Sequence, residues 1–383
     1  MKIKGDMPFF AGLIHDGATK AVQGALVGLA LIGSLAFGFF LFAGESATPP
    51  PGEARRLEWI DVHVHLVGGR GQHQDYGGAV HAALGVMAEA GIRKMVMMPP
   101  PQVFGSPPPY DYESFVAYIK QHPARFAFLG GGGRLNAMLQ EEGRSAMISD
   151  RVRRQFEEEA VEILRAGAAG VGEITAHHLS HTAGHPYESI ATDHPFLLLL
   201  VDIAARNDAV IDLHLDLVAE DMKTPDWLAS PPNPPVLRAN LAAFERLLEH
   251  NRKARIIWAH AGSDMLGHWT TELSRRLFGK HPNLYMGLRM GPGRAPQNHP
   301  LTATMGIRPE WLRLLQDFSD RFVIGGDQFI AAPSVRGTGP GIIFSQRAPM
   351  IRKRTRAFLD VLPSEIARKV GYENAMRLYR LKD

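Results

Sequence analysis

The chain has 383 residues, 45% of them hydrophobic, with 42 basic against 39 acidic side chains and a net charge of +3; this is the composition of a folded protein with a large core. So balanced a charge excludes a polyanion-binding footprint, no nucleic-acid partner is expected, and the densest basic run, Arg352, Lys353, Arg354 and Arg356, is expected to be a solvated helix face. Cysteine is absent, which excludes disulfides, thiolate metal sites and cysteine nucleophiles, so any metal must be held by imidazole and carboxylate.

Residues 1–20 carry Lys2, Lys4 and Lys20, and from Ala21 to Gly44 no residue is charged. As a helix, the stretch 21–44 would reach ~36 Å, enough for the ~30 Å hydrocarbon core of a bilayer. A transmembrane or signal-anchor helix is therefore expected at 21–44, a proline-rich linker at 45–57 and a catalytic domain at 58–383. The lysines lie ahead of the span, whereas the other side opens with Glu45 and reaches its first basic residue at Arg55. That bias puts residues 1–20 in the cytoplasm and the main domain outside it, in the periplasm if the source is bacterial. The alternative is a secreted protein, with Leu41 and Ala43 as an indifferent cleavage signal.

After Glu58, short β-branched or apolar runs alternate with longer amphipathic ones. Strands are predicted near Trp59 to His65, Lys94 to Met98, Phe126 to Gly131, Gly170 to Thr175, Val210 to Leu215, Arg255 to His260, Asn283 to Leu288 and Phe322 to Gly326. With helices between them, these imply a parallel sheet closed as a (β/α)8 TIM barrel. In the helix predicted from Asp150 to Ala166, Val152, Phe156, Ala160, Ile163 and Leu164 form one stripe, Ser149 or Asp150 caps the start and Gly167 ends it. Trp311, Leu312 and Leu315 mark the helix before the eighth strand. The proline-rich segments 106–109 and 230–235 are expected as rims or lids over the barrel mouth.

Simple alternation in the first strand places Ile60, Val62 and Val64 towards the helices and Asp61, His63 and His65 inside the barrel. A lone His-x-His suits a hydrogen-bonded core as readily as a metal. The pattern recurs, however: Glu173 closes the fourth strand, His214 the fifth, His260 the sixth and Asp327 the eighth, where barrel enzymes place their catalytic groups. Carboxylates turned inward among histidines need a cation or close hydrogen-bonding partners.

From Glu58 to the C-terminus this ordered set resembles the metal-dependent amidohydrolase superfamily, and within it the amidohydrolase-related branch. The resemblance rests on D-V-H-V-H, V-G-E-I, H-L-D, W-A-H-A-G and G-G-D, and on the closing E-N-A-M-R-L-Y-R-L at Glu373 to Leu381. It implies that His63, His65 and Asp327 hold one divalent metal and His214 and His260 a second, with Glu173 between them where many members use a carboxylated lysine. One or two zinc ions suit these donors. In one-metal members the sixth-strand histidine is catalytic instead, which leaves His260 as ligand or catalyst, and Asp327 is the expected proton acceptor.

Arg289, His177 and His178 are candidates for substrate binding, with His181 and His185 in the same loop as His177 and His178; Trp227 and Trp269 are candidates for lid packing. The leading reading is hydrolysis of an amide, ester or lactone bond in a small molecule. The alternative is a one-metal decarboxylase of the same superfamily, and a third reading is a tethered binding protein that has lost catalysis. Homo-oligomerisation stays open.

Overall fold

The structure is a computed structural model, and it describes residues 57–382 apart from 70–72, 104–109, 144–147, 182–184, 229–231 and 338. The expected membrane span, nearly all of the linker and segment 106–109 lie outside the described residues. Among the described residues no helix is long and apolar enough to cross a membrane.

In chain order the elements begin β1 (Trp59–Val67), α1 (Tyr76–Ala90), β2 (Ile92–Met97), α2 (Val116–Ile119), β3 (Phe126–Gly131), α3 (Arg134–Glu142), α4 (Asp150–Arg165) and β4 (Gly170–His178). There follow β5 (Glu188–Ser189), α5 (Pro195–Arg206), β6 (Val210–Leu215), β7 (Met222–Lys223), β8 (Val236–Leu237), α6 (Leu241–His250), β9 (Arg255–Ala261), α7 (Thr271–Lys280) and β10 (Leu284–Leu288). The chain closes with α8 (Pro309–Asp317), β11 (Phe322–Ile324), β12 (Gln328–Ala331), α9 (Pro340–Ser345), α10 (Ala348–Val361), α11 (Ser364–Arg368) and α12 (Asn374–Leu378).

Parallel pairing runs β11, β10, β9, β6, β4, β3, β2, β1, β12. Because β11 and β12 are two pieces of one strand separated by Gly325 to Asp327, the circuit of parallel strands closes on itself. Gly325, Gly326 and Asp327 therefore occupy a gap, not the end of an unbroken eighth strand as alternation suggested. β5 adds to β4 antiparallel, and β7 and β8 form a separate hairpin after β6.

Two apolar layers sandwich the strands. Met95, Phe128, Val171, Ile174, Ile211, Leu213, Ile256 and Trp258 face the helices and belong to the large outer core with Phe156, Ile163, Phe196 and Leu200. Ile60, Val62, Val96, Met98, Leu129, Val210, Ile257 and Val323 meet one another from different strands, which only the barrel interior permits, and Ala375, Leu378 and Tyr379 pack on them. The C-terminal segment thus forms a floor, pinned where the Asn374 amide donates to the carbonyls of Ser319 and Phe322 at 2.7 and 2.8 Å.

This corrects the reading of the first strand. Ile60 and Val62 face inward, whereas Val64 and Leu66 join the outer core. The pairing of β1 with β2 shifts register between Asp61 and Val64, and such an irregularity turns two successive residues to one side, which lets His63 follow Val62 into the interior. The basic run on α10 is also not simply a solvated face. Arg356 is buried and donates to the Leu57 carbonyl at 2.8 Å, and Arg352 donates to Gln328 Oε1 at 3.0 Å, because α10 packs against β12 and the start of β1. α4 begins with Ser149, one of the two caps the sequence offered, accepting from the Val152 amide at 3.3 Å.

Candidate metal centre

The upper half of the barrel interior gathers His63, His65, Glu173, His214, His260 and Asp327. Besides His63, local backbone irregularity delivers three of them. Val171 and Ile174 both face the outer core, three residues apart, and the β4–β6 register shifts between them, so Glu173 turns inward. His260 follows the outward-facing Ile256 and Trp258 at even spacing, and its left-handed backbone, φ 70°, swings it back into the barrel. Asp327 is likewise left-handed, φ 50°, in the gap between β11 and β12. Such conformations are unfavourable for non-glycine residues and recur at functional sites.

The six side chains form one connected cluster. His63 Nε2 and His65 Nε2 face each other at 3.1 Å, and Glu173 Oε2 lies 3.4 Å from each. Glu173 Oε1 lies 2.8 Å from His214 Nδ1 and 3.1 Å from His260 Nε2, which are themselves 3.0 Å apart. Asp327 Oδ1 is 3.4 Å from His65 Nε2, and Arg289 Nε forms an ion pair with Asp327 Oδ2 at 3.0 Å. Within this cluster, His63, His65 and Asp327 could hold one cation, and so could His63, Glu173 and His260. Donors bound at ~2.0–2.1 Å in a tetrahedron sit about 3.4 Å apart, so the spacings suit first-row divalent ions.

The far sides of three of the four imidazoles face protein acceptors, whereas His260 Nδ1 is buried without a hydrogen-bond partner. His65 Nδ1 meets the Met98 carbonyl at 3.0 Å, and His63 Nδ1 lies 3.2 and 3.3 Å from the two oxygens of Asp212. His214 Nε2 is 3.6 Å from Asp216 Oδ2. Burial works against protonation of His214, but Asp216 and Glu173 outweigh it and push its pKa up to about 10. Burial likewise opposes protonation of His63, and Asp212 and Glu173 overcome it, holding that pKa well above the usual imidazole value. Glu173 is held well below the ordinary range: burial would raise it, yet His63 and the hydrogen bonds from His214 and His260 win. Asp327 is lowered too, because Arg289 and His65 overcome its burial. Glu173 and Asp327 thus stay ionised in a buried site, whereas burial lowers the pKa of His260, and two buried carboxylates are charge that a cation would balance.

The remaining sequence candidates fall around this cluster. His177 is buried, with Nδ1 at 2.7 Å from the Asp216 carbonyl and Nε2 at 3.4 Å from the Tyr187 hydroxyl. The His178 ring lies 4.4 Å from that of His214 and 4.7 Å from that of His185, and its Nδ1 is buried without a hydrogen-bond partner. Burial lowers the pKa of His178, His181 and His185, the last to about 4. Arg289 spends its Nε on Asp327 and its Nη1 on Ser263 Oγ at 3.3 Å. Trp269 is buried and stacks on Trp258 at 3.6 Å, whereas Trp227 is exposed beneath the Arg294 guanidinium at 5.0 Å.

Three acidic residues beside the cluster escaped the sequence reading as site residues. Asp212 and Asp216 flank His214 in V-I-D-L-H-L-D, where a carboxylate inside an apolar strand is itself a signal of a buried donor. Glu188, on β5, is buried and accepts from the Asn136 amide at 3.0 Å, and burial pushes its carboxyl from 4.5 up to about 7.

A family model described as amidohydrolase matches residues 60–381. The chain belongs to the amidohydrolase family. No curated protein sequence matches it. Among solved structures it is similar to a probable 2-pyrone-4,6-dicarboxylic acid hydrolase from Acinetobacter baumannii with citric acid bound, at 12% identity and a TM-score of 0.48, over 85% of this chain and 100% of that one. It is also similar to a dihydroxybenzoic acid decarboxylase from Polaromonas sp. JS666 with bound manganese and 2-nitroresorcinol, at 13% identity and a TM-score of 0.42, over 85% of this chain and 97% of that one. A third is the 4-oxalomesaconate hydratase of Rhodopseudomonas palustris, at 12% identity and a TM-score of 0.43, over 84% of this chain and 95% of that one.

Proposed function

We propose that the chain is a metal-dependent hydrolase that uses water to open an amide, ester or lactone bond of a small molecule. Glu173 carries this reading: Oε2 faces His63 and His65, and Oε1 faces His214 and His260. One carboxylate with an oxygen turned to each pair is the arrangement that serves two cations. His63, His65 and Asp327 would hold one, His214 and His260 the other, and four imidazoles with two carboxylates and no thiolate suit zinc. Such an ion, when bound, lowers the pKa of water towards ~7 and polarises a carbonyl.

Asp327 then accepts the proton of the attacking water and returns it to the leaving group. Its pairing with Arg289 keeps it ionised and fixes its orientation, so Arg289 acts first on Asp327 and touches substrate only with what remains of its guanidinium. His177 has both ring nitrogens engaged and orients the wall, whereas His178, with Nδ1 unpartnered, is left to meet substrate.

The test is a panel of amide, ester, lactone, phosphoester and carboxylic-acid substrates offered to the full-length protein with zinc. Hydrolysis that chelation abolishes and zinc restores supports the reading. Carbon dioxide release from the acids, with one bound ion and no hydrolysis, replaces it with the decarboxylase. The uncharged stretch 21–44 adds a second element to the proposal: the domain is tethered to a membrane on its outer side. Full-length protein in the membrane fraction supports the tether, and intact, uncleaved protein in the soluble fraction refutes it.

A further inference from the structure

We infer that Asp212 and Asp216 are positioning residues that dictate which ring nitrogen His63 and His214 present to the centre; the inference rests on the metal reading above. Asp212, His214 and Asp216 follow the inward-facing Val210 at a spacing of two along β6 and its continuation, so all share the interior face. His214 turns Nδ1 to Glu173 and Nε2 to Asp216. Asp212, 1% exposed, reaches across the barrel from β6 to β1 and sets both oxygens within 3.3 Å of His63 Nδ1.

A neutral imidazole carries one proton, on one nitrogen, and offers its lone pair from the other. With Nδ1–H donated to Asp212, His63 must offer Nε2, the atom that faces His65 and Glu173. With Nε2 turned to the Asp216 carboxylate at the ion-pair distance of 3.6 Å, the proton is favoured on Nε2 and His214 offers Nδ1, the atom that faces Glu173 and His260. The two carboxylates thus select opposite tautomers on two rings and aim both lone pairs at the same few ångströms. Each also raises the basicity of the nitrogen opposite, which strengthens a bond to a cation. One short stretch, D-L-H-L-D, therefore supplies a donor together with the outer partners of two donors. Asp216 has a second duty, accepting the Leu179 amide at 2.8 Å, which ties the loop after β4 to the same carboxylate.

The experiment uses the full-length chain, 15N-labelled at histidine, as wild type, Asp212→Asn and Asp216→Asn. Zinc affinity is read by chelator competition and ring tautomers by long-range 1H–15N correlation. Loss of a carboxylate behind a ligating histidine typically weakens metal binding about 10- to 100-fold, and that loss is expected in both variants. The His63 nitrogen signals should change in the first variant and those of His214 in the second, with circular dichroism unchanged. A purely structural carboxylate would leave zinc affinity and tautomers as in wild type, and that result overturns the inference. If wild type takes up no zinc, the metal reading itself fails, an outcome distinct from wild-type-like variants of a zinc-binding protein. Should Asp212→Asn not fold, Asp216→Asn, at the more open end of the strand, decides the same question on His214.

Discussion

The barrel interior has two halves built on the same strands by different rules. In the lower half Ile60, Val62, Val210, Ile257 and Val323 pack on Leu378 and Tyr379, and Ile60 and Val62 keep the two-residue spacing of an ordinary strand. In the upper half, further along the same strands, His63, Glu173, His260 and Asp327 sit where register shifts or left-handed residues interrupt the alternation. A regular strand gives one inward side chain in two. Bringing six donors to one point takes extra inward residues, and bulges with positive-φ residues supply them at a cost in backbone strain. The apolar half below provides the rigidity that holds those conformations.

Removing a donor from the upper half should produce the largest effect on activity with the least effect on folding. Asp327→Asn keeps the shape but removes the proton acceptor, and should lower turnover roughly 10²- to 10⁴-fold. His63→Ala should abolish turnover, with circular dichroism unchanged in both. Activity within a few-fold of wild type in either variant would erase the functional division between the halves.

The converse experiment acts on the floor. Leu378 is 1% exposed beneath the strands, and Leu378→Ala should cost ~2–5 kcal/mol through lost burial and an unfilled cavity. Urea unfolding would show it, while the number of bound metal ions stays that of wild type. A floor variant that loses metal without losing stability would mean that the two halves are not separable.

Glu188 gives a smaller, pH-dependent effect at the edge of the upper half. Its carboxyl is raised from 4.5 to about 7 by burial, so the folded protein binds this proton more tightly than the unfolded chain. Its contribution to stability is fully present below about pH 4.5 and is lost as pH rises through about 7. Glu188→Gln keeps an acceptor for Asn136 and removes the titration. The variant should unfold with less pH dependence than wild type across that window in metal-free buffer, and parallel curves would contradict the assignment.

Much of this division was legible in the sequence. The strand cores, the stripe of α4 with its Ser149 cap and the six polar residues at strand ends all follow from periodicity and from the oddity of charge in apolar runs. Irregular backbone was not legible: nothing in I-D-V-H-V-H announces the register shift that turns Ile60, Val62 and His63 to one side, and period-two reasoning put Ile60 and Val62 on the wrong face. The second layer was missed for another reason. Asp212 acts on a histidine 149 residues away, and Arg356 is buried against Leu57 across the closure of the barrel; only the three-dimensional circuit makes such pairs neighbours.

The central claim is that Glu173 serves two cations at once, and metal stoichiometry tests it most directly. Full-length wild type and Glu173→Gln would be loaded with zinc, freed of loosely bound ions and subjected to elemental analysis. The expected result is about two zinc ions per wild-type chain, with one or both lost in the variant because a shared anionic ligand has become neutral. One tightly bound ion in each protein would contradict the claim, and His260 would then be a catalytic group in a one-metal enzyme.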